Sequence, residues 1–121
     1  METTALVLAY VGVALMVGLA GVASSIGTAI TGQAAVGAMK KNGGAFGSYM
    51  ILSALPGSQG IYGFVTAFMV FMKLGVLGGS LAALSNYQGW FLFISCLPIA
   101  IVGYFSAIYQ GRVCATGMNI L

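Results

Sequence analysis

The residues best suited to chemistry in this chain are neutral oxygen donors. The segment Leu55-Pro56-Gly57-Ser58-Gln59-Gly60 interrupts an apolar stretch with a proline, two glycines, a hydroxyl and an amide. Proline lacks a backbone N–H and its ring clashes with the preceding turn, which frees carbonyls near the residue before it. Gly57 and Gly60 allow another chain to come close, while Ser58 and Gln59 add side-chain oxygens. Freed carbonyls beside a hydroxyl and an amide suit a cation that has shed its water. A proline kink with locally satisfied polar groups accounts for the same residues, and the pattern leaves both readings open. Gln110 offers another oxygen if the fold brings it level with Gln59; by itself it reads equally well as an interfacial residue beside a snorkelling Arg112. Tyr62, one turn beyond Ser58, can donate to a buried acceptor or simply pack.

Side chains that exchange protons readily near neutral pH are nearly absent. The sequence holds one acidic residue, Glu2, and no histidine. Transport coupled to protons needs a group that titrates inside the membrane, and tyrosine, with a reference pKa near 10, is a poor carrier. Neutral oxygens alone hold a sodium ion weakly, because nothing offsets its charge. Cys96 and Cys114 lie 18 residues apart, about 27 Å along one straight helix. That is too far for a disulfide, and the spacing fits no metal site, so both read as small packing residues.

Composition dictates the solvent. Of 121 residues 60% are hydrophobic and 4% charged, and mean hydropathy is +1.07. Soluble domains carry about a quarter charged residues; this chain could not cover its own surface in water. Ordinary soluble enzymes, nucleic-acid binders and disordered tails are excluded. A net charge of +3 built from four bases makes no stripe for a phosphate backbone. The chain reads as a single all-α integral membrane domain over residues 1–121.

Three stretches can position the oxygens. A spanning helix needs about 20 mainly apolar residues, and runs at about 4–36, 46–72 and 89–110 qualify. The first would reach about 50 Å and must tilt or project beyond the lipid. It lacks the basic start and short apolar core of a signal peptide. The first two form a transmembrane hairpin about the short basic turn at 37–45, and the third follows a longer uncharged connection, 73–88, near the headgroups. Lys40, Lys41 and Arg112 fall on one side and Lys73 on the other, so the positive-inside rule puts the 37–45 loop and the C-terminus in the cytoplasm.

Small residues recur along the first helix at Gly18, Gly21, Ser25, Thr28 or Ala29, and Gly32. Glycine costs about 1 kcal/mol against alanine in a helix interior, so the stripe needs a packing reason. Close contact within one subunit and a ring of identical helices both supply one.

Three segments resemble the proteolipid (K or c-type) subunit of prokaryotic rotary V-type ATPases: SALPGSQGIYGFV over 53–65, SAIYQGRVCATG over 106–117 and AVGAMKKN over 35–42. The resemblance covers the whole chain. It implies two helical hairpins whose copies form a homo-oligomeric membrane ring, turning against a stator subunit that carries an arginine and coupling H⁺ or Na⁺ flow to ATP hydrolysis or synthesis. It also implies a non-catalytic, ion-translocating subunit with no cofactor beyond the transported ion. Central-stalk subunits would meet the 37–45 loop, in the cell (inner) membrane.

By the same resemblance Leu55 gives a backbone carbonyl, Ser58, Gln59 and Gln110 give side-chain oxygens, and Tyr62 hydrogen-bonds a glutamate of the fourth helix. The Gly18, Gly21, Ser25, Gly32 face would line the ring. The two glutamines with Ser58 resemble the sodium-binding form of the site.

The chain stops at Leu121, where the turn into that fourth helix is due. Shifting the first hairpin by about 84 residues starts the helix near position 130, so a fragment is expected. Two rivals remain: a small multidrug or cation exporter, whose first helix would need a glutamate that is missing here, and a non-transporting membrane scaffold, which leaves PGSQG and Gln110 without a purpose.

Overall fold

The computed structural model describes residues 3–121; Glu2 lies outside the described residues. Helix α1 runs over Thr3–Met39, α2 over Phe46–Ala54, α3 over Ser58–Leu74 and α4 over Asn86–Met118. A short 3₁₀ turn at Gly43–Ala45 leads into α2, and another at Leu55–Gly57 joins α2 and α3 into one second span. Among the described residues three helical rods are long and apolar enough to cross a membrane: Thr3–Met39, Gly43–Leu74 and Asn86–Met118. Their outer faces are apolar, with Ile51, Phe64, Val102 and Val113 each more than 60% exposed. A surface of that kind is stable only against lipid or another protein.

Local chemistry sets each boundary. At the first turn Asn42 caps the 3₁₀ segment by accepting the Gly44 N–H at 3.1 Å. The buried Tyr49 hydroxyl ties the same turn together by donating to the Asn42 carbonyl at 3.0 Å. Helix α3 stops at Gly75, whose φ of +76° is left-handed and whose added Cβ would collide with the Ser80 carbonyl. Ser85 and Gln88 form a reciprocal capping box that starts α4.

The third span differs from the sequence expectation at its far end. The expected stop lies at Gln110, just before Arg112, whereas α4 continues through the arginine to Met118. The guanidinium lies on an exposed face with its centre 5.3 Å from the Tyr109 ring centroid. Charge carried that way does not terminate a helix, so Gln110 lies inside α4 and not at its end.

Helices α1 and α4 pack side by side and parallel. Ala5 meets Gly89, Gly12 meets Cys96 and Gly27 meets Gly111, at a constant offset of 84 residues. The buried face of α1 reads Ala5, Ala9, Gly12, Met16, Ala20, Ala23, Gly27 and Thr31. It repeats every 11 residues, about 3.67 per turn, close enough to the helical period to keep one seam facing one neighbour. Because α1 and α4 are parallel, Lys40 and Lys41 sit at the Met118 end, with Lys73 at the opposite end.

Candidate functional site

The 3₁₀ turn at Leu55–Gly57 is where the second span departs from ideal geometry. Such a turn bonds each N–H three residues back instead of four, and Ser58 N–H does so onto the Leu55 carbonyl. Pro56 is buried there and has no N–H of its own. The break falls midway along Gly43–Leu74, so the neighbouring side chains emerge near the centre of the span.

Four of the sequence-predicted donors come together at this break. Ser58 Oγ lies 3.0 Å from the Leu55 carbonyl oxygen and 3.1 Å from Gln59 Oε1. Gln59 Nε2 donates to Gln110 Oε1 at 2.8 Å, which joins the second span to the third. The same nitrogen donates to Ser106 Oγ at 3.0 Å. Gln59 is buried, and Ser58 and Gln110 are half-buried. Tyr62 stands apart from these contacts; it lines the adjoining groove and is 60% exposed.

An amide group has two N–H donors and one carbonyl oxygen. Both hydrogens of Gln59 are engaged by α4, and its oxygen meets Ser58 Oγ, the same hydroxyl that reaches the Leu55 carbonyl. A hydroxyl can rotate from donor to acceptor. The oxygens of Leu55, Ser58 and Gln59 around the kink can therefore converge on one cation, with Gln110 supporting from the side. No formal charge takes part in these contacts. Beside them runs a groove of about 340 Å³ between α3 and α4, lined by Gln59, Tyr62, Pro98, Val102, Gly103 and Ser106. Apart from Gln59, Ser106 and the Tyr62 hydroxyl, its walls are apolar.

Ser106 is the site residue that sequence reasoning missed. It opens the segment SAIYQGRVCATG, in which Gln110 alone stands out as a donor. Its position one turn before Gln110 puts both on one face of α4, and that spacing was the available signal. The stripe expected to pack in a ring is open within the single subunit: an added Cβ at Gly18, Gly21 or Gly32 would meet nothing within 4 Å of its own chain. The close approaches inside the chain use Gly12, Gly27, Gly89 and Gly111 between α1 and α4, and Gly60 and Gly63 between α1 and α3.

Known proteins match this chain over its spans and over the stretch that holds the kink. The family model for the C subunit of ATP synthase matches residues 11–70. The V-type sodium ATPase subunit K of Enterococcus hirae is 40% identical over 116 residues, 96% of this chain and 70% of that protein. The chain belongs to the proteolipid subunit family of rotary ATPases. The A-type ATP synthase subunit K of Methanocaldococcus jannaschii is 34% identical over 114 residues, 94% of this chain and 47% of that protein. The proteolipid family match over 11–70 takes in most of α1 and the kink with Leu55, Ser58, Gln59 and Tyr62. Gln110 and Ser106 lie beyond it, in the part of the chain that the two longer proteolipid relatives also cover. A multi-pass membrane subunit of a rotor ring, taking part in ion transport, is the common ground of these matches.

Proposed function

We propose that this proteolipid holds a transported cation, Na⁺ in preference to H⁺, at the kink of its second span. The single observation that supports this reading is the cluster of Leu55 O, Ser58 Oγ, Gln59 Oε1 and Gln110 Oε1, drawn from two spans at the middle of the second. The name of the Enterococcus hirae relative, a sodium ATPase subunit, supports the choice of ion. A cation among neutral oxygens lacks a counter-charge. The α3–α4 groove beside Gln59 and Tyr62 gives a carboxylate room to supply it, and Tyr62 is the donor that would orient that carboxylate.

On this reading the subunit is non-catalytic. Copies form a homo-oligomeric ring in the lipid of the cell membrane and turn past a stator subunit, whose arginine favours the ionised carboxylate and so expels the ion. Lys40 and Lys41 on the 37–45 loop face the cytoplasm, where central-stalk subunits dock.

Sodium binding by the ring, extracted from its membrane in mild detergent, tests the site. Gln110→Ala is expected to raise the Kd for Na⁺ at least about tenfold, equivalent to ~1.4 kcal/mol. Unchanged affinity at fixed pH removes Gln110 from the ligand set. The same preparation tests the assembly: a ring that co-purifies with a soluble ATPase sector supports the rotor. A dimer favours an exporter, and a ring without an ATPase sector favours a scaffold.

A further inference from the structure

Two hydroxyls of α1 reach across to the kinked span. Ser24 Oγ accepts the Gly60 N–H at 2.7 Å, and the single hydrogen of Thr31 Oγ1 has the Ser53 carbonyl in reach at 3.1 Å, shared with the Thr28 and Gly27 carbonyls of its own helix at 3.0 and 3.2 Å. Both side chains are buried, Thr31 completely. They are seven residues apart on α1, and their partners are seven residues apart on the second span. In a helix that interval is about 10.5 Å on either side. The antiparallel helices are thus joined at two points that bracket residues 54–59, the stretch that carries Leu55, Ser58 and Gln59.

We infer that Ser24 and Thr31 are positioning residues for the cation site, a clamp that fixes the curvature of the 3₁₀ turn and with it the direction of the Leu55 carbonyl. The inference rests on the ion-site reading above and adds residues from a helix that contributes no ligand. The physical reason lies in the backbone. Around a proline the α-helical pattern of hydrogen bonds is interrupted, and carbonyls near it can settle in more than one orientation. With Ser53 held by Thr31 on one side and Gly60 by Ser24 on the other, only the enclosed turn remains to bend, and its ends are fixed.

Hydroxyl chemistry at each point is directional. Ser24 must accept and Thr31 must donate, so an aliphatic replacement removes the tie without changing the volume much. Gly60 belongs to the same device: a Cβ there would lie 3.2 Å from Ser24 Oγ, tight enough to push the hydroxyl off the N–H.

Carbonyl direction governs how snugly a cation of given radius is held, so the clamp should act on ion selectivity as well as on affinity. The test measures Kd for Na⁺ and for the smaller Li⁺ in detergent-extracted rings carrying Thr31→Val, Thr31→Ser or Ser24→Ala. Thr31→Val and Ser24→Ala are each expected to weaken Na⁺ binding about five- to tenfold and to change the Na⁺/Li⁺ ratio at least about threefold. Thr31→Ser, which keeps the donor, is expected to restore both. A lesion that merely lowered stability would reduce the yield of ring and leave the ratio of the assembled fraction unchanged.

If Thr31→Val prevents assembly, Ser24→Ala and Thr31→Ser still decide the matter, because each spares most of the packing. Parental Kd and ratio in an assembled Thr31→Val or Ser24→Ala ring overturn the clamp. Gln110→Ala, run in parallel, separates the two ideas: if it weakens binding while the α1 variants do not, the clamp alone fails. A parental ring that binds no Na⁺ fails the ion-site reading, and the clamp with it.

Discussion

Helix α4 meets its two neighbours in opposite ways. Against α1 it brings backbone to backbone, Gly111 over Gly27 and Gly89 over Ala5. Against α3 it stands off far enough for a glutamine amide to bridge the gap to Gln110 and Ser106. In lipid there is no hydrophobic drive for helices to associate, so contact comes from close packing or from hydrogen bonds. The first contact uses packing and the second uses polar side chains. The α1–α4 seam leaves no room for a methyl group at its glycines. The α3–α4 contact keeps an apolar groove open beside its oxygens. One helix thus forms a close-packed wall on one side and a polar contact beside an open groove on the other.

Filling the seam is the most damaging way to break this contrast. A Cβ on Gly27 would sit 2.6 Å from the Ala107 carbonyl oxygen and 2.7 Å from Pro56 Cβ. Neither is the free end of a flexible chain, so the helices must separate. Overpacking of this kind costs about 1–3 kcal/mol, more than the ~1 kcal/mol that alanine adds to helix propensity. Gly27→Ala is expected to lower the thermal stability of the extracted subunit and its yield, both read by melting in detergent. Because Pro56 is one of the obstructed residues, sodium affinity should fall as well.

Disconnecting the other contact should have a smaller effect on the fold and a larger one on the ion. Gln59→Leu keeps a side chain of similar bulk but leaves Gln110 and Ser106 without their donor. Burying unpartnered polar groups costs about 1–3 kcal/mol. Ser106 is exposed and Gln110 only half-buried, so the low end of that range, a loss of about 1 kcal/mol, is expected in the same melt. Sodium binding should disappear. A Gln59→Leu ring that binds Na⁺ normally would reduce the amide bridge to a structural tie.

Much of this contrast is legible in the sequence, and the rest is hidden for identifiable reasons. Three apolar runs and a proline between polar and small residues are enough to place the spans and the kink, because lipid tolerates so few alternatives. The oxygen of Gln110 marks it as a donor, yet the expected helix ends there because Arg112 looks like a boundary. An arginine that leans on Tyr109 at the helix surface gives no such signal. Ser106 escapes notice because a single serine in an apolar helix says little until Gln59 is known to lie opposite. On α1 two small-residue faces compete. The stripe through Gly18, Gly21, Ser25 and Gly32 holds more glycine, whereas the 11-residue repeat through Ala5, Gly12, Ala23 and Gly27 is the one that meets α4. Glycine frequency marks where backbones can approach, not which neighbour does so.

The smallest expected effect separates those two faces of α1. Gly18 is not fully buried in the single subunit, and a Cβ there would meet nothing within 4 Å. Within the chain Gly18→Ala therefore removes a flexible residue from a helix at no steric cost, a gain of up to about 1 kcal/mol. If a neighbouring copy packs on this stripe in the ring, the added methyl group presses on that copy and the gain is cancelled or reversed. The two interfaces respond to the same glycine-to-alanine change with opposite signs: Gly27→Ala destabilises subunit and ring alike, whereas Gly18→Ala stabilises the dissociated subunit and weakens the ring. Melting of the dissociated subunit in detergent, set beside the temperature at which the ring falls apart, reads both quantities. A ring that becomes more heat-resistant with Gly18→Ala would show that the stripe faces open space and that copies associate through another face.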